Sequence, residues 1–135
     1  MSTNNIFING DDLNIAVPTT VVSGDPLIVG QLAGVSKEAY TTNPTAVPDG
    51  KVAVAFRGAA FLSVTAATVL SPLTGSAVKV GDKLYADGGT FDSTTNVTRG
   101  FTLDKNTGGV YFGNALDAIT SGQTAVIRVR LKVTG

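Results

Sequence analysis

The stretch Thr124-Ala125-Val126-Ile127-Arg128-Val129-Arg130-Leu131-Lys132-Val133 decides the fold class of this chain. Apolar and charged residues alternate along it, and successive side chains of a β-strand point to opposite faces. The pattern therefore predicts a strand with one apolar face and one basic stripe. A register slip of one residue would bury three cations, so the register is fixed by the pattern itself. The apolar face comprises Ala125, Ile127, Val129, Leu131 and Val133, and the basic stripe comprises Arg128, Arg130 and Lys132.

The same alternation occurs in Lys51–Arg57, where Val52, Val54 and Phe56 share one predicted face. Elsewhere the chain consists of short apolar runs separated by Gly, Pro and Asp, the residues typical of tight turns. Thr19–Ser23 is one of these short β runs.

Two turns are predicted to join paired strands. Asp87-Gly88-Gly89 is a strong hairpin signal because glycine accepts a positive φ. Gly81-Asp82 is predicted to join strands at 77–80 and 83–86. Thr65–Leu70 is compatible with one helical turn or a loop, between which the sequence does not decide, and Gly113–Ile119 is a second place where a short helix is possible.

These patterns predict an all-β fold, namely a small barrel or sandwich of short strands with at most one or two short helices, plus an extended N-terminal arm. A length of 135 residues indicates one domain. We divide the chain into an N-terminal arm, 1–17, and a single β-rich domain, 18–135.

The arm alternates Asn and Asp with apolar residues that must be buried against something. Two interpretations stay open at this point. The arm is either the first strand of the domain's own sheet or a segment that adds to the sheet edge of a partner. The candidate contact residues of the arm are its apolar side chains Ile6, Phe7, Ile8, Leu13 and Ile15.

The composition argues against catalysis and against a cofactor. The chain has no Cys and no His, which excludes disulfides, thiolate zinc sites, a cysteine nucleophile and the commonest general base. Most Asp residues lie beside Gly, Pro or Asn, a context typical of turns and caps. The spacing of Asp82, Asp87 and Asp92 resembles a calcium loop, but no bidentate Glu follows. We therefore expect no enzyme, no metal and no cofactor.

The low charge of the chain limits the classes of partner that it could attract electrostatically. Ten basic and ten acidic residues give a net charge of zero, and charged residues make up only 15% of the chain. A neutral chain has no electrostatic reason to bind nucleic acid or anionic lipid, and near-zero charge favours self-association. The basic stripe is interpreted as a solvated strand face; the alternative is an interface that pairs with Asp residues of a neighbouring subunit. The sequence predicts no signal peptide and no membrane span.

Three segments together resemble the small capsid decoration proteins of tailed bacteriophages, also called cement or head-stabilising proteins. The segments are Val21–Val35 (VVSGDPLIVGQLAGV), Val80–Asp87 (VGDKLYAD), and Gly113–Ala118 (GNALDA) with the following Ser121-Gly122 and Val126–Leu131. Their order and spacing match over about residues 18–133.

The resemblance implies a β-rich structural protein on the outer surface of the virion capsid, made in the host cytoplasm before assembly. Its implied partner is the major capsid protein of a phage head, and its implied state is a homotrimer that clamps neighbouring capsid subunits. The arm would then contact the capsid by strand addition.

Two other functions stay as alternatives. A head-fibre or adhesin-type module could recognise a host-surface glycan or protein, with Tyr40, Tyr85 and Tyr111 as a stacking surface. A small hydrolase is disfavoured by the missing His and Cys.

Overall fold

A computed structural model describes residues 12–37, 40, 51–70 and 72–132 of the chain. These residues form thirteen β-strands and no helix. The strands are β1 (Asp12–Ala16), β2 (Pro26–Val29), β3 (Leu32–Ser36), β4 (Lys51–Ala55), β5 (Ala59–Thr65), β6 (Ala67–Leu70), β7 (Leu73–Gly75), β8 (Lys83–Asp87), β9 (Thr90–Asp92), β10 (Val97–Arg99), β11 (Thr102–Asp104), β12 (Val110–Ala115) and β13 (Thr124–Leu131).

The strands build a barrel, a sheet and a small hairpin. The closed barrel has the order β11-β5-β13-β12-β8, and the six-stranded sheet has the order β1-β4-β3-β2-β10-β9. Strands β6 and β7 form a separate two-stranded ribbon. The prediction of an all-β fold with a small barrel is confirmed.

The chain passes back and forth between the barrel and the sheet. It builds four sheet strands, contributes β5 and β8 to the barrel, returns to the sheet for β9 and β10, and then completes the barrel with β11, β12 and β13. Barrel closure depends on β11, which pairs antiparallel with β8 and parallel with β5 through Leu103 and Val64.

The stretch that decides the fold class forms β13. It pairs with β5 through seven consecutive residue pairs and with β12 on its other side. Ile127, Val129 and Leu131 are buried while Arg128 and Arg130 are exposed, as the alternation predicts. Strand β4 behaves in the same way, with Val52 and Val54 fully buried.

Two apolar clusters form the core, and β2 and β3 separate them. The cluster inside the barrel includes Phe112, Leu84 and Leu103, and it extends to Ile28 of the sheet. The second cluster lies on the other face of the sheet, around Leu27, together with Val52, Val54, Phe56 and Val97. Full burial of one such side chain contributes roughly 1.5–3 kcal/mol, so the two sides of β2 and β3 stabilise the barrel and the sheet together.

The second half of the N-terminal arm forms β1, an edge strand of the chain's own sheet. It pairs antiparallel with β4, from Asp12 opposite Ala55 to Ala16 opposite Lys51. Ile15 packs against the second cluster. Candidate residues Ile6, Phe7 and Ile8 lie outside the described residues, and the boundary between arm and domain after residue 17 stays a prediction.

Both stretches that were compatible with a helix contain strand instead. Thr65–Leu70 holds the end of β5 and all of β6, and Gly113–Ile119 holds the end of β12 and a single bridge from Ile119 to Val78. The reason is tertiary hydrogen bonding. The N–H of Leu116 donates to Arg128 O at 2.9 Å, which draws the backbone after β12 onto β13 rather than into a helical turn.

The turns form largely where predicted, but they connect different partners. Gly88 and Gly89 have φ values of 72° and 87°. The strands on either side of them do not pair, because β8 lies in the barrel and β9 in the sheet. Val78 bridges Ile119 rather than pairing with β8, so the hairpin predicted at Gly81-Asp82 is also wrong.

The β run predicted at Thr19–Ser23 is a turn region instead. The N–H of Val21 donates to Pro18 O at 3.2 Å, and the N–H of Asp25 donates to Val22 O at 3.2 Å. These local bonds use backbone groups that a strand would offer to a neighbour.

Candidate interaction surfaces

One member of the basic stripe is neutralised within the chain. Arg128 donates from Nη2 to Asp117 Oδ1 at 2.8 Å and from Nε to Asp117 Oδ2 at 3.0 Å, a bidentate arrangement. These side-chain hydrogen bonds, with a further one from the Arg128 backbone, lower the pKa of Asp117 to about 2. Arg128 is therefore not available to pair with a neighbouring subunit without losing this partner.

Two of the three Asp residues with calcium-like spacing have separate local partners. Asp82 accepts the N–H of Lys79 at 2.9 Å and lies 3.2 Å from Lys105 Nζ. Asp92 accepts from Thr95 Oγ1 at 2.7 Å. Within the described ranges no group of three or more acidic side chains could hold a metal ion.

Asp104 is the one fully buried charged side chain in the described part of the chain. Its Oδ1 accepts the N–H of Asn106 at 2.9 Å, while its Oδ2 is buried with no hydrogen-bond donor. Burial, together with a smaller contribution from the nearby carboxyl of Asp87, raises the pKa of Asp104 to about 6 against the opposing hydrogen bond from Asn106. This pair of carboxyl groups lies where β11 meets β8 at the closure of the barrel.

Two of the three candidate tyrosines come together on the barrel. The rings of Tyr85 and Tyr111 have centroids 6.1 Å apart and are tilted by 58°. Tyr40 lies elsewhere and packs against the second core cluster. The ammonium groups of Lys83 and Lys132 lie over the Tyr111 ring, at 5.4 Å and 6.0 Å from its centroid.

The outer face of the barrel also carries an apolar patch that sequence analysis did not single out. Phe61 on β5 is 71% exposed and Val126 on β13 is 66% exposed. Phe61 lies opposite Arg128 and Val126 opposite Ser63, so the two apolar side chains are diagonal neighbours. Strand alternation indicates that each points outward, but only the register places them side by side.

Comparison with known families identifies the chain. The family model described as phage cement protein matches residues 8–131. This chain belongs to the phage cement protein family. The resemblance found in the sequence is thereby confirmed. No curated protein and no solved structure gives a significant match to this cement protein.

Family membership supports a structural, capsid-stabilising role for this cement protein, bound to a phage capsid in the virion. The match includes all thirteen strands and begins at Ile8, so it contains Leu13 and Ile15 of the arm but neither Ile6 nor Phe7. The described residues of the cement protein include no helix that could span a bilayer.

Proposed function

We propose that this cement protein binds the outer surface of an assembled phage head and stabilises it by clamping neighbouring subunits of the major capsid protein. The family match over residues 8–131 is the observation that carries the proposal. The composition supports it, because a surface with zero net charge and few charged groups is desolvated at small cost. Many identical weak contacts around a closed shell then act multivalently.

The N-terminal arm is the capsid-contacting element in this proposal. It leads into β1, whose one neighbour among the described strands is β4. In this proposal residues 2–11, which precede β1, add as a strand to a sheet edge of the capsid protein. Packing of Ile15 on the second core cluster fixes β1 on its own sheet. Of the five candidate residues, Ile6, Phe7 and Ile8 precede β1 and would make this contact, whereas Leu13 and Ile15 belong to β1 itself.

Deletion of the arm tests this element. Removal of residues 2–11 leaves the pairing of β1 with β4 intact, so we expect an unchanged melting temperature. Affinity for undecorated heads should fall by at least about ten-fold, because the strand-addition contacts are lost. Co-sedimentation with heads measures the affinity. Removal of residues 2–16 also removes β1 and should lower the melting temperature in addition.

The comparison of the two deletions separates binding from folding. If the protein lacking residues 2–11 binds heads as tightly as the intact chain, the arm has no part in the mechanism. If the intact chain does not bind undecorated heads at all, the proposed function itself is wrong.

We propose further that the protein acts as a homotrimer, with the Phe61–Val126 patch at the contact between subunits. The patch lies on the ladder of β5 and β13, the longest strand pairing of the barrel, and is thus rigidly held. Large apolar side chains that are exposed side by side favour burial against a partner. The near-zero net charge adds no repulsion between copies.

A double substitution, Phe61→Ser with Val126→Ser, tests this contact. We expect it to shift the sedimenting species from trimer to monomer without unfolding, since both side chains are exposed and leave no cavity. Val80→Ser is the matched control, because Val80 is 67% exposed away from the patch. A double variant that sediments like the intact protein would remove the patch from the subunit contact.

The alternative of a head-fibre or adhesin-type module stays a hypothesis. Its three candidate tyrosines are not gathered on one surface, since Tyr40 packs against the second core cluster while Tyr85 and Tyr111 lie on the barrel. Glycan-array binding without affinity for phage heads would favour this alternative.

A further inference from the structure

Strands β8, β12 and β13 place three cations on one continuous outer face of the barrel. Asn114 lies opposite Lys83 on one side and opposite Arg130 on the other. Lys132 comes directly after β13, and its N–H donates to Phe112 O at 3.0 Å. We call the surface formed by Lys83, Tyr111, Asn114, Arg130 and Lys132 the cationic face.

No carboxylate among the described residues forms a salt bridge with these three cations. The two acidic side chains closest in sequence to this face are committed elsewhere, Asp117 to Arg128 and Asp82 to Lys105. The cationic face is therefore an uncompensated local charge on a chain whose net charge is zero. Charge that is not balanced within the chain attracts an anionic partner.

Two of these cations contact the same tyrosine ring. The ammonium groups of Lys83 and Lys132 share the ring of Tyr111. Burial lowers the pKa of Lys132, which means that its charged form has lost hydration without gaining an anion. An anionic group bound beside Lys132 would offset this lost hydration.

The polar groups of the cationic face favour an acidic protein surface over a sugar or a nucleic acid. The amide of Asn114 is already used, since its Nδ2 donates to Gly81 O at 3.0 Å and its Oδ1 accepts from the Tyr111 hydroxyl. The ammonium groups over the Tyr111 ring occupy the surface on which a base or a sugar would stack. Positive charge is therefore the property of the cationic face that remains available to a partner.

We propose that the cationic face binds an acidic patch of the capsid subunit, which presents two or more carboxylates to Lys83, Arg130 and Lys132. Lys83 and Arg130 lie two strand spacings apart, about 10 Å. Carboxylates on alternate strands of a sheet in the partner, likewise about 10 Å apart, match this separation. The inference rests on the proposed function and specifies the chemistry of the partner.

Single charge reversals test the inference. Lys83→Glu and Arg130→Glu each change the net charge by two, and Lys51→Glu on the sheet is the matched control. All three side chains are exposed, so we expect unchanged melting temperatures. Affinity for undecorated heads should fall by at least about ten-fold for each of the two barrel variants and less than about two-fold for Lys51→Glu. The affinity of the intact protein should also fall as salt is raised.

The outcomes separate this inference from the function on which it rests. If the intact protein binds heads and both barrel variants bind equally well, the cationic face has no role and the capsid-binding function stands. If the intact protein does not bind heads, the proposed function itself is wrong.

Competition identifies the ligand class: polyglutamate should displace the protein from heads more effectively than oligothymidylate or a polyuronate at equal charge. The reverse order would overturn the assignment to a protein carboxylate.

Discussion

Asp104→Asn is expected to stabilise the protein by about 2 kcal/mol near neutral pH, because it removes a buried negative charge. Asp104 is fully buried, its Oδ2 has no donor, and its pKa is raised from 3.8 to about 6. The amide keeps the acceptor for the N–H of Asn106 and provides Nδ2–H groups that can donate to Asp87. Urea unfolding of the two proteins side by side measures the difference.

The pH dependence of that difference follows from the raised pKa. Below about pH 4 the carboxyl is protonated in both the folded and the unfolded protein, so its burial costs nothing. Between about pH 4 and pH 6 the unfolded chain ionises first, and the intact protein loses stability as the pH rises. The gain from Asp104→Asn should therefore be near zero at the acid end and complete above about pH 6.

Asp87→Asn provides a second measurement of the same pair. It removes the neighbouring carboxyl that raises the pKa of Asp104, so a smaller gain over the same pH range is expected. An Asp104→Asn protein that is less stable than the intact protein at every pH would contradict this account. In that case the carboxylate would have a partner that offsets its burial.

Gly113→Ala is expected to destabilise the protein by about 3 kcal/mol, since a methyl group does not fit between β12 and β13. A Cβ at this position would overlap the carbonyl oxygen of Arg130 and lie 3.1 Å from its carbonyl carbon and 3.2 Å from Val129 Cγ1. Backbone atoms cannot rotate away as a long side chain can. The ladder between the two strands must open, next to the irregular register between Tyr111 and Gly113.

Gly24→Ala is the matched control for that substitution. Gly24 has a positive φ of 90° but open space around its Cβ position, so only the backbone strain of about 1 kcal/mol applies. Urea unfolding should rank the intact protein first, Gly24→Ala second and Gly113→Ala last. If the two variants lost the same free energy of unfolding, the close contact between β12 and β13 at Gly113 would add no cost beyond backbone strain.

The sequence predicts well those structural features that are set by residues adjacent in the chain. The alternation in β4 and β13 is local, and it correctly separates buried Val52 and Ile127 from exposed Arg128 and Arg130. The positive φ values at Gly88 and Gly89 are likewise a local property of glycine. The family resemblance adds function, because its three segments are matched along nearly the whole chain.

Features that depend on which strands pair could not be predicted from the local sequence. The turn at Gly88 and Gly89 looks like a hairpin, yet tertiary pairing sends its two strands into different sheets. The cationic face needs the register of three strands that are distant in sequence. Asp104 has the local context of a turn residue and does bond the Asn106 backbone, but its burial depends on barrel closure.

The path of the chain between barrel and sheet has a mechanical consequence. Because β9 and β10 of the sheet are threaded between β8 and β11 of the barrel, no single peptide cut divides the molecule into a free barrel and a free sheet. Tension applied to the sheet is transmitted to the strand that closes the barrel. We expect such a body to unfold under force as one unit rather than in two separate steps.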